Sequence, residues 1–205
     1  MKAAVAIWCD VAPEVREEFD DWHAHEHMPE RLSIPGFLRG SRWVAADGGS
    51  GYFMLYETQS EATLTGAAYL ERLNNPTPWS RKMMPHHRNM VRGLCRVEAS
   101  FGTALGQALL TVRFSGNPEM ARELAAPLAT LASRKGLVSA HLLRNIAHPP
   151  AQTAEQKLRG GDAAPDWIAL VSGYSAEAVA SVAGELKGVA GLYRLAYILA
   201  ATEAA

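Results

Sequence analysis

A chain of 205 residues that is 48% hydrophobic and 20% charged has ordinary globular composition, which excludes a disordered or collagen-like protein. With 20 Lys+Arg against 21 Asp+Glu, scattered rather than run together, it lacks the basic footprint of a nucleic-acid binder. Length alone leaves one domain or two small ones open, so internal pattern must decide.

The run Ala3–Cys9 is apolar, and Asp10 ends it too soon for a signal-peptide core or a membrane span. It reads as a first strand of a cytoplasmic protein with no membrane partner. Pro13 opens a helix with Val15, Phe19 and Trp22 at helical spacing and acidic residues in its early turns, and Pro29 is expected to end it. Ile34-Pro35-Gly36 is a turn, Phe37–Val44 alternates as a strand, and Gly48-Gly49-Ser50-Gly51 marks a hairpin into the strand Tyr52–Tyr56. Ser60 caps a second helix running to about Leu73, Asn74–Pro78 breaks it, and a fourth strand runs from roughly Arg88 to Ser100. Cys9 and Cys95 have no metal or disulfide spacing and read as reduced residues packed in strands.

The second half repeats this order. Strand Ala108–Phe114 precedes a helix from Pro118 with Leu124, Leu128 and Leu131; Gly136 turns into strand Leu137–Arg144, whose partner begins at Trp167. Ser175 caps a further helix, and Leu192–Leu199 closes the copy. The second copy is longer by a connection over 147–165, rich in Ala, Pro, Gly and charge, which reads as a mobile loop. Each half is therefore β-α-β-β-α-β, the ferredoxin-like motif. The expected fold class is α+β. Copies 1–102 and 103–205 should face each other as two four-stranded antiparallel sheets, with helices outside and a cavity between the sheets, giving a pseudo-dimeric α/β barrel within one chain. Either a monomeric barrel or a homodimer of barrels satisfies this reading.

The densest chemistry lies in Phe19-Asp20-Asp21-Trp22-His23-Ala24-His25-Glu26-His27-Met28-Pro29-Glu30-Arg31. On a regular helix Glu26 falls near the Val15/Phe19/Trp22 direction, with His23 flanking it and His27 further round. An inward carboxylate is a candidate acid or base, and the alternative is a helix-end residue paired with Arg31 or Arg42. His27 is a candidate acid/base group or a helix cap. His23-x-x-Glu26-His27 formally matches an inverted zinc-protease motif, but alternating histidines make that match cheap, and no third ligand follows. No metal is assigned to it; a metal-dependent enzyme built on His23, His27 and Glu26 ranks third among the functional readings.

The run Phe19-x-x-Trp22-His23-x-x-Glu26-His27-Met28-Pro29-Glu30-Arg31-Leu32-x-Ile34-Pro35-Gly36-Phe37 resembles the signature of EthD-type proteins of the dimeric α/β-barrel superfamily. The resemblance covers residues 1–102 and implies a ferredoxin-like fold paired into a barrel, with this helix end at the cavity mouth. His27 matches the family's characteristic His before Pro. The second copy carries Leu, Ala and Ser where the first has His and Glu, so one site per chain is implied, and the second copy reads as mainly structural. Related barrels include cofactor-free monooxygenases, lactone isomerases, polyketide cyclases and haem enzymes, so the resemblance implies a small, partly apolar ligand rather than one reaction.

Trp22, Trp43, Tyr52, Tyr56, Trp79, Tyr193 and Tyr197 lie on or near strands and cavity-edge loops; each is a candidate lining residue or simply core. The stiffened segment Asn74–Arg88 either presents Trp79 and His86 to a ligand, with Arg88 or Arg92 binding a carboxylate, or cements the two copies. A haem would need an inward histidine in the second copy, where His141 and His148 are available, and His141 reads as a core residue. There is no phosphate loop or nucleophile elbow. The leading expectation is a cofactor-independent enzyme of isomerase, cyclase or lyase type. It would act by proton transfer on a small aromatic or lactone-like acid, through His27, Glu26 and His23, with Trp22, Arg31, Tyr52, Tyr56, Trp79, His86 and Arg92 binding substrate. The rivals are a non-catalytic binding barrel and a monooxygenase.

Overall fold

The computed structural model describes residues 1–47, 51–146 and 152–202, without the side chains of Met120 and Ala121. In the first half, β1 (Ala3–Val11) leads through a 3-10 turn into α1 (Arg16–Trp22), a π-helical turn (His23–His27) and α2 (Met28–Leu32). Then come β2 (Phe37–Ala45), β3 (Gly51–Thr58), α3 (Glu61–Thr65), α4 (Ala67–Asn74), α5 (Pro78–Met83), a 3-10 turn and β4 (His87–Phe101). The second half follows the same plan with β5 (Ala108–Phe114), α6 (Pro118–Ala132), β6 (Leu137–Asn145), α7 (Ala154–Arg159), β7 (Trp167–Gly173), α8 (Ala176–Ser181) and β8 (Val189–Ala200).

All eight strands form one closed antiparallel barrel in the order β1-β3-β2-β8-β5-β7-β6-β4. The halves are joined by two cross-copy ladders, β2 with β8 and β4 with β6. Closure leaves no free sheet edge. The α+β barrel class expected from the repeat is the observed one.

Alternation along β1 explains its unbroken apolar sequence. Ala3, Val5, Cys9 and Val11 pack outward under the helices, while Ala4, Ala6 and Trp8 point into the barrel. The barrel interior is a packed core rather than the expected cavity. Trp8, Trp43, Phe53 and Leu55 meet Leu109, Leu143, Ile168 and Leu170 there. The Trp8 and Phe53 rings lie 4.9 Å apart, and Trp8 Nε1 donates to Thr111 Oγ1 of the other half at 3.1 Å. Large aromatics of the first-half sheet, packed against aliphatic side chains of the second, fill the narrow space that small residues would have left open.

Three local expectations are corrected. Pro29 does not end its helix; the π turn shifts the pairing so that the Met28 N–H bonds the His23 carbonyl, and the helix runs through the proline to Leu32. The second helix is broken at Gly66, which is extended. The segment read as a stiffened loop carries α5, its N-terminus capped by Thr77, whose hydroxyl accepts from the Ser80 N–H. The hairpin Gly48-Gly49-Ser50 lies outside the described residues.

Gly36 and Gly136 occupy equivalent turns with φ of +92° and +91°. A Cβ on Gly36 would meet Thr63 Oγ1 at 2.5 Å. Gly36→Ala is therefore expected to destabilise the fold by about 2 kcal/mol, from left-handed backbone strain plus the clash, as read by the urea midpoint.

Candidate active site between sheet and helices

A cavity that gathers the expected site residues lies on the outer face of the first-half sheet, beneath the helices, and not between the sheets. Its free volume is about 30 Å³, room for one or two water molecules. Ile7, Met54 and Tyr56 form its floor; Trp22, His23, His27 and Arg31 come down from the α1–α2 helix, and Tyr69 from α4. Met84, His87, Met90 and Arg92 close the β4 side, and Glu155 and Arg159 of α7 complete the wall.

His23 and His27 are four residues apart and so share one face of the helix; their ring centroids are 5.7 Å apart. Trp22 packs on His27 at 4.4 Å and anchors its own Nε1 on Ser80 Oγ at 3.3 Å. Tyr56 reaches up from β3, its hydroxyl 3.0 Å from His23 Nε2. Exposure is 1% for His23 and 7% for His27, and the Nδ1 of each has no hydrogen-bond partner among the described residues. Two orphaned ring nitrogens on side chains that line one void are unusual, because buried polar atoms are nearly always satisfied.

Burial, reinforced for His27 by Arg31 and for His23 by Arg42, holds both imidazoles well below the ordinary histidine value of 6.5. Both are neutral at pH 7. His87 joins them, lowered to about 4 by burial and by Arg159. Its Nδ1 lies 3.0 Å from the Met84 carbonyl, which only accepts, so Nδ1 carries the proton and Nε2 holds the free pair. Burial pushes the Tyr56 hydroxyl upward, and it stays protonated.

The cations are arranged unequally. Arg31 is gripped by Glu30 through Nη1 at 3.1 Å and by Glu155 through Nη2. Arg159 pairs with Asp162 at 2.8 Å and lies 3.5 Å from Glu155. Arg92, 4% exposed, donates to the Tyr69 hydroxyl at 2.8 Å, and no carboxylate pairs with it among the described residues. Asp162 and Glu155 act on it without a direct ion pair, and a buried guanidinium with no carboxylate in contact can receive an anion.

Of the residues expected from sequence, Trp22, His23, His27, Arg31, Tyr56 and Arg92 converge on this cavity, while Glu26, Tyr52, Trp79 and His86 do not. The π turn rotates Glu26 away from the inward direction of a regular helix, so that its Oε1 accepts from Thr77 Oγ1 at 2.5 Å and Ser80 Oγ at 3.4 Å. It braces α5 against the histidine helix. Glu26→Gln is accordingly expected to cost about 1–2 kcal/mol in chemical denaturation while leaving ligand affinity within about twofold. Tyr52 packs against Phe19 at 5.0 Å, and Trp79 donates to Glu18 at 3.2 Å. His86 ends a 3-10 turn, and its neighbour His87 is the one turned inward. Trp43 and Tyr193 belong to the barrel core. Tyr197 packs from β8 against the first-half core and donates to the Ala24 carbonyl at 3.3 Å. His141 bonds Ser100 Oγ at 2.8 Å, and His148 lies outside the described residues.

Sequence reasoning missed His87, Tyr69, Glu155 and Arg159. The last two belong to the connection read as a mobile loop. A signal was there: Thr153-x-x-Gln156 is a capping box, and it opens α7 as such, with both reciprocal bonds formed. The second half is thus more than a wall, because α7 supplies two charged groups to the first half's cavity.

Among the described residues no three His, Cys, Asp or Glu side chains converge to hold a metal ion, and no helix is long and apolar enough to cross a membrane. No family model and no curated protein matches the chain. Among solved structures it is similar to an anthrone oxidase-like protein, with TM-score 0.65 and 12% identity over 99% of this chain and 95% of that one. It is also similar to two proteins provisionally described as monooxygenases. One is from Fusobacterium nucleatum subsp. nucleatum ATCC 25586, with TM-score 0.58 and 8% identity over 96% and 94% of the two chains. The other is from Lactobacillus acidophilus NCFM, with TM-score 0.57 and 12% identity over 98% and 97%. These neighbours are ferredoxin-like dimeric α/β-barrel proteins, and at such identities the likeness is one of fold.

Proposed function

We propose that the chain is a cofactor-independent enzyme that removes a proton from a small, partly aromatic acid bound between the sheet and helices of its first half. The observation that carries this reading is that one cavity is lined by both His27, a neutral imidazole whose Nδ1 has no partner among the described residues, and Arg92, which has no direct carboxylate partner there. His27 is the base. Its low proton affinity keeps the base form fully populated at neutral pH, Trp22 fixes its ring, and Arg92 stabilises the anion left behind. His23, tied to Tyr56, positions the second imidazole as a relay or acid. The Phe19–Phe37 run supports an EthD-like member of the barrel superfamily.

The fate of the deprotonated substrate depends on its chemistry. Returning the His27 proton to another atom of the anion gives isomerisation or cyclisation. The names of the neighbours favour a second branch, in which the anion reduces dioxygen: one anthrone and one dioxygen give one anthraquinone and one water. The test is to incubate the protein in deuterated water with anthrone, an aryl lactone and an aromatic keto acid. Solvent deuterium incorporation and oxygen uptake are then monitored. Protein-dependent exchange or oxygen uptake with at least one probe is expected. Binding without exchange or turnover by any of them would replace this reading with a binding barrel.

A further inference from the structure

A free volume of about 30 Å³ is far below the roughly 300–1,000 Å³ of a pocket that encloses a small organic ligand, so one wall must give way. The sheet floor is locked into the closed barrel, and the α1–α2 helix buries Phe19, Trp22 and Met28 completely. The α7 wall is different. It is six residues long, ends at a left-handed Gly160, and meets the cavity through charged side chains, besides packing by Leu158 and a bond from the Ala154 N–H to Asn74. Glu155 grips Arg31, and Arg159 joins Glu155 and Asp162. Leu158 is only partly buried, and Lys157 on the far side is exposed.

Resting on the reading of this cavity as the substrate site, we propose that Arg31 is its carboxylate-binding group and that Glu155 is the group's internal occupant. An aromatic carboxylate is admitted by exchange for the Glu155 side chain. Arg31 and Glu155 are 3% and 2% exposed, so displacement of Glu155 by a neutral molecule would leave the buried Nη2 without an acceptor and the guanidinium with Glu30 as its one carboxylate partner, which is unfavourable. A carboxylate reproduces the same charge-assisted fork. Glu30 keeps its hold on Nη1 at 3.1 Å throughout, and Nη2 is the position exchanged. Asp162 remains with Arg159. The incoming carboxylate therefore leaves the cavity's charge balance unchanged, and Arg92 stays available to a second oxygen of the ligand. The specificity for acids comes from a residue of the second half acting on the first.

The experiment titrates the full chain with 1-naphthoate and its neutral analogue 1-naphthamide, by calorimetry and by quenching of tryptophan fluorescence. Naphthoate is expected to bind saturably, and naphthamide at least about tenfold more weakly. Glu155→Gln, which removes the internal competitor, is expected to bind naphthoate about tenfold tighter. In the wild-type protein, saturating naphthoate should speed tryptic cleavage after Lys157 and Arg159, because α7 is released. Equal binding of the two probes, no saturable naphthoate binding at millimolar concentration, or a folded Glu155→Gln protein that binds no more tightly would each overturn the proposal. Should the variant not fold, the wild-type digestion decides alone, and cleavage unchanged or slowed by naphthoate refutes it. Naphthoate behaving as expected without catalysis of any probe sinks only the enzymatic reading. Turnover that needs His27 but ignores Glu155 sinks only the exchange.

Discussion

His27→Gln is expected to lower kcat by about 10²–10⁴-fold, the usual worth of a positioned general base, with KM changed only a few-fold. Glutamine keeps a polar side chain of similar reach beneath Trp22 but cannot take up a proton at neutral pH. The pH profile separates this from a packing defect. Burial and Arg31 hold the imidazole well below 6.5, so the wild-type rate should be flat through neutrality. Its acid limb should appear only below the ordinary histidine range, where His27 becomes protonated and inactive. In His27→Gln that limb should disappear along with the rate. A variant that keeps the wild-type rate and limb would remove His27 from the mechanism. His23→Gln is expected to have a smaller effect, since His23 acts through its contact with the Tyr56 hydroxyl.

Acid stability is the second large effect. His23, His27 and His87 are all buried, and all have values below 6.5 in the folded chain, His87 at about 4. Below pH 6.5 the unfolded chain takes up protons on these residues that the native state refuses, so stability falls as pH falls. The loss begins near pH 6.5 and continues until the folded values are reached, about 4 for His87. Each histidine contributes a slope of about 1.4 kcal/mol per pH unit, so these three together approach about 4 kcal/mol per unit, and His141, also lowered to about 4 by burial, adds to it. Against a typical domain stability of about 5–15 kcal/mol, cooperative acid unfolding is expected around pH 4–5. Urea midpoints at pH 7, 6 and 5 measure it, and His87→Gln should reduce the slope by about a quarter. Stability that stays level between pH 7 and pH 5 would mean that these imidazoles already carry their protons in the native state.

Much of the barrel is legible in the chain, because the repeat is written in local signals. Gly36 and Gly136 mark matched left-handed turns. Ser60 and Ser175 precede matched helices, and the unbroken apolar run of β1 announces a strand buried on both faces. The position of the cavity is not legible, for a steric reason. Periodicity says that both faces of a strand are buried but not how large the opposing side chains are, and Trp8, Trp43 and Phe53 close the inter-sheet space only when the halves meet.

The site divides in the same way. Trp22, His23, His27 and Arg31 sit close together in one run and are legible as a cluster. A regular winding would point Glu26 inward, but the π turn just before Pro29 sends it to Thr77 and Ser80 instead. Glu155 lies 124 residues from Arg31; no spacing rule connects them, and only the closed barrel carries α7 onto the first half.

The sequence by itself determined the duplicated ferredoxin-like plan, the turn glycines and the histidine-bearing helix, since propensity, capping and alternation act over a few residues. The tertiary structure alone decided which sheet face stays hollow, which histidine of a neighbouring pair points inward, and which acid neutralises Arg31. These are outcomes of long-range packing and desolvation, which act between residues that the chain order keeps apart.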